Sequence, residues 1–334
     1  MQIFLLGDFK SDNGPGNANK QIRDTLDTVC KIKYSKAVGK MGRILEVFRL
    51  VKSSDIILIC SASKINYLAI RLAKKQYKKI IYLMHGYSSY EAKIANPNIS
   101  TKNLAQIQNY ETFIYDASDR IICVSKRCME FMKKQIPQYK EKLDYVFNVL
   151  DTEHITRMCQ ENISLRLQDK VLSVGGGMRR KNNLVVAKCI DKYFSNVNFT
   201  VVGNELEYGD KIKKIRNVTW VGHLTHEDLC RLMSEANIYI QNSTFETFGL
   251  AIIEALYAGC SLLISNNVGC LDLFESITDK DIIYDVNDEE EISRKIDYLL
   301  QNPNNKRLMA GFNYSLVSKN WQAGKWKEII DEII

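Results

Sequence analysis

A chain of 334 residues that is 46% hydrophobic and 25% charged, with only four prolines, can fill one large core or two ordinary ones, which excludes the disordered and fibrous classes. Its net charge of +7 is unevenly held: residues 1–150 carry 25 Lys and Arg against 13 Asp and Glu, and residues 151–334 carry 21 against 26. The halves stand at +12 and −5, a polarity expected of two domains with different partners, the basic one meeting something anionic. The longest apolar window, Phe248 to Ile264, contains Glu254 and Gly259 and is no transmembrane span. The opening MQIFLLGD lacks the basic flank and the length of a signal peptide, so a cytosolic location is expected. Nine cysteines without a C-x-x-C pair are expected to be reduced thiols, mostly buried.

In chain order, Gln2 to Leu6 reads as a strand, and Lys10 to Asn19 as a polar glycine loop after it. Further strands are expected at Ile56 to Ile59, Ile80 to Met84, Ile121 to Val124 and Tyr145 to Val149. Helix-length segments lie between them, one with a stripe of Met41, Ile44, Leu45, Phe48 and Val51. After a polar stretch around Glu161 to Asp169 the pattern restarts. Strands are expected at Val171 to Val174, Phe199 to Val202, Val218 to Val221, Ile238 to Ile240, Ser261 to Ile264 and Ile282 to Tyr284. Helices are expected at Glu227 to Glu235, Leu250 to Tyr257 and Glu290 to Leu300. Short apolar strands alternating with helices indicate parallel sheets covered on both faces, hence α/β class and two Rossmann-like domains in tandem.

Several chemistries are poorly supported. Gly175 and Gly177 offer two glycines of a dinucleotide fingerprint, but Arg180 stands where the third should be. There is no P-loop and no G-x-S-x-G. The four histidines have no metal-ligand spacing with cysteine, and Asp279-Lys280-Asp281 reads as a solvated turn.

The stretch from Phe245 to Gly259 is richer. An apolar helix is expected to begin near Gly249, and its unpaired amides and dipole suit a phosphate. Glu246 stands just ahead of the helix. Glu254 lies roughly 7 Å along it at 1.5 Å per residue, and a carboxylate in so apolar a helix is costly unless hydrogen-bonded. One ligand could span carboxylate, phosphate site and second carboxylate, the order of sugar, diphosphate and ribose.

Glu246 and Glu254 with seven residues between them, Phe248-Gly249-Leu250, and Glu254-Ala255-Leu256-Tyr257-Ala258-Gly259 closely resemble the E-x7-E retaining glycosyltransferases of the GT-B fold, the group 1 transferases of glycosyltransferase family 4. The resemblance implies that Glu246 contacts the donor sugar, Glu254 the ribose hydroxyls, and the amides of Phe248, Gly249 and Leu250 the sugar and phosphate. Val174 to Asn183 resembles the family's glycine loop with a basic pair on the diphosphate. Gly176 stands where the family usually has Arg, so Arg180 and Lys181 take that role, with Arg179 as competitor. Fixed cations there stabilise charge on the leaving diphosphate. The same resemblance puts Gly14, Gly16 and Asn17 near phosphate and acceptor, His85 at the reacting sugar, Asn242 at the substrate, and Gly222, His223 and Leu224 beside the nucleobase. Phe147-Asn148-Val149 lacks the family's glycine, Gly269 to Asp272 is a weak version of G-G-x-x-E, and Gly259-Cys260-Ser261 lacks the usual proline.

The implied fold is GT-B: two Rossmann-like domains facing across a cleft, residues 1–160 for acceptor and membrane and 161–316 for the nucleotide-sugar donor. A C-terminal helix within about 317–334 is expected to pack back on the first domain. The implied reaction is transfer of a hexosyl-type sugar from a nucleotide sugar, UDP-linked by preference, to a hydroxyl of a lipid-linked glycan with retention of configuration, in bacterial surface polysaccharide synthesis. A soluble-acceptor enzyme of phosphorylase or sucrose type and a non-catalytic sugar-nucleotide-binding subunit are the alternatives. No cofactor or metal is expected, because Arg180, Lys181 and helix amides replace the cation. Lys31 to Lys52, Arg71 to Lys79 and Lys126 to Lys142 concentrate the basic charge. They are expected to hold the enzyme peripherally on the anionic inner face of the cell membrane; nucleic acid is not an expected partner, since no groove-reading motif accompanies the charge.

Overall fold

The computed structural model describes residues 1–11, 14–61, 63–160 and 166–334. The chain divides into two compact units. Met1–Lys93, Asn98–Leu150 and Tyr314–Ile334 form the first, and Ile94–Pro97 with Asp151–Asn313 the second.

The first unit runs β1 (Gln2–Leu6), α1 (Gly14–Leu26), β2 (Lys31–Tyr34), α2 (Lys40–Ser53), β3 (Ile56–Ile59), α3 (Lys64–Lys75), β4 (Lys79–Met84), α4 (Ser88–Ala95), α5 (Thr101–Ala117), β5 (Arg120–Cys123), α6 (Lys126–Gln135) and β6 (Leu143–Tyr145). Its six strands form one parallel sheet, ordered β2-β1-β3-β4-β5-β6. Ile3, Phe4, Leu5, Ile56, Ile57 and Leu58 are fully buried, as expected of strands covered on both faces by helices.

Three expectations need correction here. Gly14, Gly16 and Asn17 are not in a loop but in the first turn of α1; a proline among the first residues suits a helix start, where its missing N–H would have no partner anyway. The strand expected at Tyr145 to Val149 is Leu143–Tyr145 instead. Val146, Phe147 and Val149 are buried for another reason: the amide of Gln322 donates to the carbonyl of Phe147 at 3.0 Å, and Leu150 N donates to Val317 O at 3.3 Å. Finally, β2 had no counterpart among the expected strands. It alternates Lys and apolar residues at the sheet edge, where charge guards the unpaired backbone.

The second unit runs α7 (Thr152–Gln160), β7 (Leu167–Val174), α8 (Asn183–Tyr193), β8 (Asn198–Val202), α9 (Gly209–Ile212), β9 (Val218–Val221), α10 (His226–Glu235), β10 (Ala236–Gln241), α11 (Leu250–Tyr257), β11 (Ser261–Ser265), β12 (Ile282–Ile283), α12 (Glu289–Gln301) and α13 (Asn305–Ala310). Its parallel sheet is ordered β12-β11-β10-β7-β8-β9. The polar stretch around Glu161 to Asp169 falls partly outside the described residues and otherwise enters β7. The chain returns to the first unit in α14 (Lys319–Asp331), capped by Ser318. Trp326, Ile329 and Ile330 bury that helix, and Lys325 pairs with Asp144 at 3.2 Å.

In the second sheet β7 is central. Chain order runs outward from it through β8 and β9, then restarts beside it at β10 and continues through β11 to β12. The carboxyl ends of β7 and β10 therefore flank the point where strand order reverses, the place where open α/β sheets bind ligands.

Candidate functional site

Two loops leave that point. The first, Gly175-Gly176-Gly177, follows β7. Gly175 and Gly176 have φ of 120° and 57°, a left-handed region in which glycine is at home. A Cβ on Gly177 would stand 1.7 Å from the carbonyl oxygen of Glu205 and 2.2 Å from the amide of Gly209, so the chain packs too closely there for any side chain. This loop feeds a short 3-10 turn, Arg179–Lys181.

The second loop, 242–249, follows β10. The backbone of Glu246 bridges Val268 through Glu246 N to Asn267 O at 3.1 Å and Gly269 N to Glu246 O at 2.9 Å, and Cys270 N donates to Phe248 O at 2.9 Å. Gly269 and Cys270 thus hold the loop although the family's usual motif is degenerate there. Thr244 N donates to Arg180 O at 2.8 Å, while Asn182 and Asn242 both donate to Val286 O, at 2.7 and 2.9 Å. The two loops are stitched together.

The cations arrive on that frame. Lys181 Nζ lies 2.6 Å and an Arg180 nitrogen 3.0 Å from the same oxygen of Glu246, Oε2. All three side chains are largely buried; Glu246 is 12% exposed and Lys181 14%. Burial alone would raise the Glu246 carboxyl, but Lys181 and then Arg180 outweigh it and hold it down at about 2. Arg179 turns away, its guanidinium 4.9 Å over the ring of Tyr208. The structure thus brings Arg180 and Lys181, and not their competitor, to Glu246.

Gly249, in a left-handed conformation at φ 100°, stands just ahead of α11, and no side chain caps the helix. Within it Glu254 Oε1 lies at hydrogen-bond distance, 3.1 Å, from Nε2 of His226, the first residue of α10. The charges of Glu254 and Glu246 follow burial in raising the Tyr239 hydroxyl well above its ordinary value; this neutral hydroxyl donates to Gln241 Oε1 at 2.7 Å. Sequence reasoning missed His226, because its only signal is a place beside the Thr225 cap, and nothing in the order of residues says that α10 meets α11.

Of the remaining candidates, Phe248 and Asn242 are buried, Leu250 opens α11, and Gly222, His223 and Leu224 follow β9 with the first two exposed. Gly14, Gly16, Asn17 and His85 lie in the first unit. There Asn19 Nδ2 donates to Asp8 O at 3.0 Å, which leaves its Oδ1 to accept from His85 Nε2 at 2.7 Å. Burial lowers His85 to about 4, so the ring is neutral at pH 7 with its proton on Nε2. Among the described residues, no group of three or more His, Cys, Asp or Glu side chains is placed to hold a metal ion. None of the eight cysteines whose side chains are described forms a disulfide. No helix in the described residues is long and apolar enough to cross a membrane.

Residues 163–313 match the family "Glycosyl transferases group 1". The chain is 26% identical over 166 residues to the phosphatidylinositol N-acetylglucosaminyltransferase GPI3 subunit of Saccharomyces cerevisiae, an alignment covering 46% of this chain and 36% of that protein. It therefore spans about a third of that relative's length. It is 21% identical over 169 residues to N-acetylgalactosamine-N,N'-diacetylbacillosaminyl-diphospho-undecaprenol 4-alpha-N-acetylgalactosaminyltransferase of Campylobacter jejuni, covering 49% of this chain and 46% of that one. The solved structure of Anabaena HepE in complex with UDP-glucose superposes with a TM-score of 0.68 at 14% identity, covering 99% of this chain and 98% of the other. Sucrose-phosphate synthase from Thermosynechococcus elongatus does so with a TM-score of 0.70 at 15% identity over 99% and 98%. With two parallel six-stranded sheets and these superpositions over nearly the whole chain, the protein has the GT-B fold, and its second unit carries the match to the group 1 glycosyl transferases.

Proposed function

We propose that this protein transfers a sugar from a nucleotide sugar, UDP-linked by preference, to a hydroxyl of a lipid-linked glycan, with retention of configuration and without a metal. The observation that carries this reading is the convergence of Arg180 and Lys181 on one oxygen of Glu246. Two cations on one carboxylate leave an excess positive charge, set where β7 and β10 end and suited to a diphosphate. In this mechanism the donor diphosphate draws the two cations from Glu246, whose carboxylate then accepts from a hydroxyl of the donor sugar. As the glycosidic bond breaks, charge grows on the leaving phosphate, and cations already in place stabilise it without reorganisation. Glu254, steadied by His226, accepts from the ribose hydroxyls. Support for a lipid-linked acceptor comes from the diphospho-undecaprenol named for the Campylobacter jejuni relative and from the +12 of residues 1–150, which suits an anionic membrane surface.

A thermal-shift panel of nucleoside diphosphates and nucleotide sugars tests the donor, since a ligand bound only by the folded state raises apparent stability with saturation. UDP and its sugars are expected to give the largest shifts, with turnover and shifts surviving excess EDTA; activity lost to EDTA and restored by Mn²⁺ would sink the metal-independent mechanism. For the ribose carboxylate, Glu254→Ala is expected to weaken nucleoside diphosphate binding about 10- to 100-fold, the worth of a hydrogen bond to a charged group. His226→Ala should cost less, because Glu254 itself remains. Titration calorimetry on both variants checks this, and unchanged affinity in Glu254→Ala would remove it from the donor site.

A further inference from the structure

Helix α2 carries two apolar faces, where the sequence suggested one stripe. Val47, Leu50 and Val51 are 1%, 5% and 0% exposed and pack into the first unit. Met41, Leu45 and Phe48 stand 68%, 65% and 48% exposed, and Val38, just ahead of the helix, 81%. At about 100° per residue, Met41, Leu45, Phe48 and Lys52 fall within roughly 60° of one another and nearly opposite the buried face. No core requirement places three large apolar side chains in a row on that side.

The surroundings of the ridge are basic. Lys40, Arg43, Arg49 and Lys52 are exposed on the same helix, and α3, packed beside it, exposes Lys64, Arg71, Lys74 and Lys75. Between Lys40 and Lys79 there are ten Lys and Arg against Glu46 and Asp55. Glu46 is buried, with Oε1 accepting from Lys36 N at 2.9 Å and Ala37 N at 3.0 Å, so it does not offset charge at the ridge. A second copy of this chain would meet the ridge with the same cations and be repelled. An anionic bilayer satisfies both features at once: apolar side chains enter the acyl boundary while the long basic side chains reach up to the headgroups.

We infer that α2 is the element by which this protein enters an anionic lipid surface, lying in the interface with Met41, Leu45 and Phe48 inserted. This deepens the membrane part of the proposed function and rests on it. The test is co-sedimentation with vesicles of phosphatidylcholine alone or mixed with phosphatidylglycerol. The full chain is expected to bind the mixed vesicles at low salt. Leu45→Ser and Phe48→Ser are each expected to lower that binding about tenfold or more, from the transfer free energy of a large apolar side chain, with melting temperature and nucleotide-induced shift unchanged. The tryptophan introduced by Phe48→Trp should be quenched by brominated acyl chains beyond the quenching of the parent protein. Equal binding by the serine variants, or no added quenching, would overturn insertion while leaving a purely electrostatic attachment standing. Failure of the unaltered chain to bind mixed vesicles would overturn the membrane reading and the inference with it, and would turn the ridge over to a protein partner.

Discussion

Lys181→Ala is expected to lower turnover about 100- to 1000-fold, an increase of about 2.7–4 kcal/mol in the barrier, the usual loss when one preorganised stabilising group is removed. The expectation follows from placement. Lys181 Nζ and the Arg180 guanidinium share a single carboxylate oxygen, so each lies within reach of whatever anion takes the place of Glu246. Arg180→Ala should cost a similar amount, and the double variant less than the product of the two, because neighbours in one ion network do not act additively. The variants should also differ in acid. In the free protein Glu246 stands at about 2 against an ordinary 4.5, so its folded form binds fewer protons than the unfolded chain between those values. The resulting stability is present in full above about pH 4.5 and is lost as pH falls toward 2. Removing Lys181 raises that carboxyl and shrinks the window, so the gap in melting temperature between Lys181→Ala and the parent should narrow as pH falls through it. Steady-state kinetics and melting curves read both effects. A turnover loss under tenfold would remove Lys181 from the chemistry.

Gly177→Ala is expected to be the most damaging single methyl in the second unit. The new carbon would lie 1.7 Å from a carbonyl oxygen and 2.2 Å from an amide nitrogen, both backbone, and no side chain can swing aside to make room. Overpacking costs about 1–3 kcal/mol and occasionally more, and contacts this short with backbone place Gly177 at the upper end. Here the loop that must move also carries Arg180 and Lys181, so nucleotide binding should fall along with stability. For stability, Gly222→Ala is the matched control, since nothing lies within 4 Å of the Cβ it adds. If the two variants melt alike, the close packing of the glycine loop against 203–209 is not what holds the site.

The placing of the E-x7-E stretch at a strand end and a helix start was legible in the sequence for a physical reason. Glu246, Gly249 and Glu254 are set by one strand end and one helix start, and the apolar run of α11 fixes its own period. Arg180 and Lys181 were readable as a basic pair with Arg179 as competitor, and what the sequence did not show is that Tyr208 takes the third cation. Features that depend on a remote neighbour were not readable. His226 meets Glu254 only through contact between α10 and α11, and the segment expected as a strand to Val149 leaves the ladder after Val146, where Gln322 of α14 and the carbonyl of Val317 take over its backbone hydrogen bonds. In α1 the pair Gly14 and Gly16 carried turn signals strong enough to mask a helix start. In α2 periodicity was right about a helix and silent about which apolar residues face inward.

The return of α14 to the first unit has a consequence for how the molecule is made. The second unit is nearly continuous in sequence, from Asp151 to Asn313, and so emerges from the ribosome as one piece. The first unit does not: Phe147 is synthesised early, and the helix whose Gln322 and Trp321 meet it, with the fully buried Trp326, is synthesised last of the described elements. At about 5–20 residues per second Phe147 waits many seconds for its cover. During that wait Phe147 lacks the partners that the finished fold gives it, and the first unit stays open to chaperone capture.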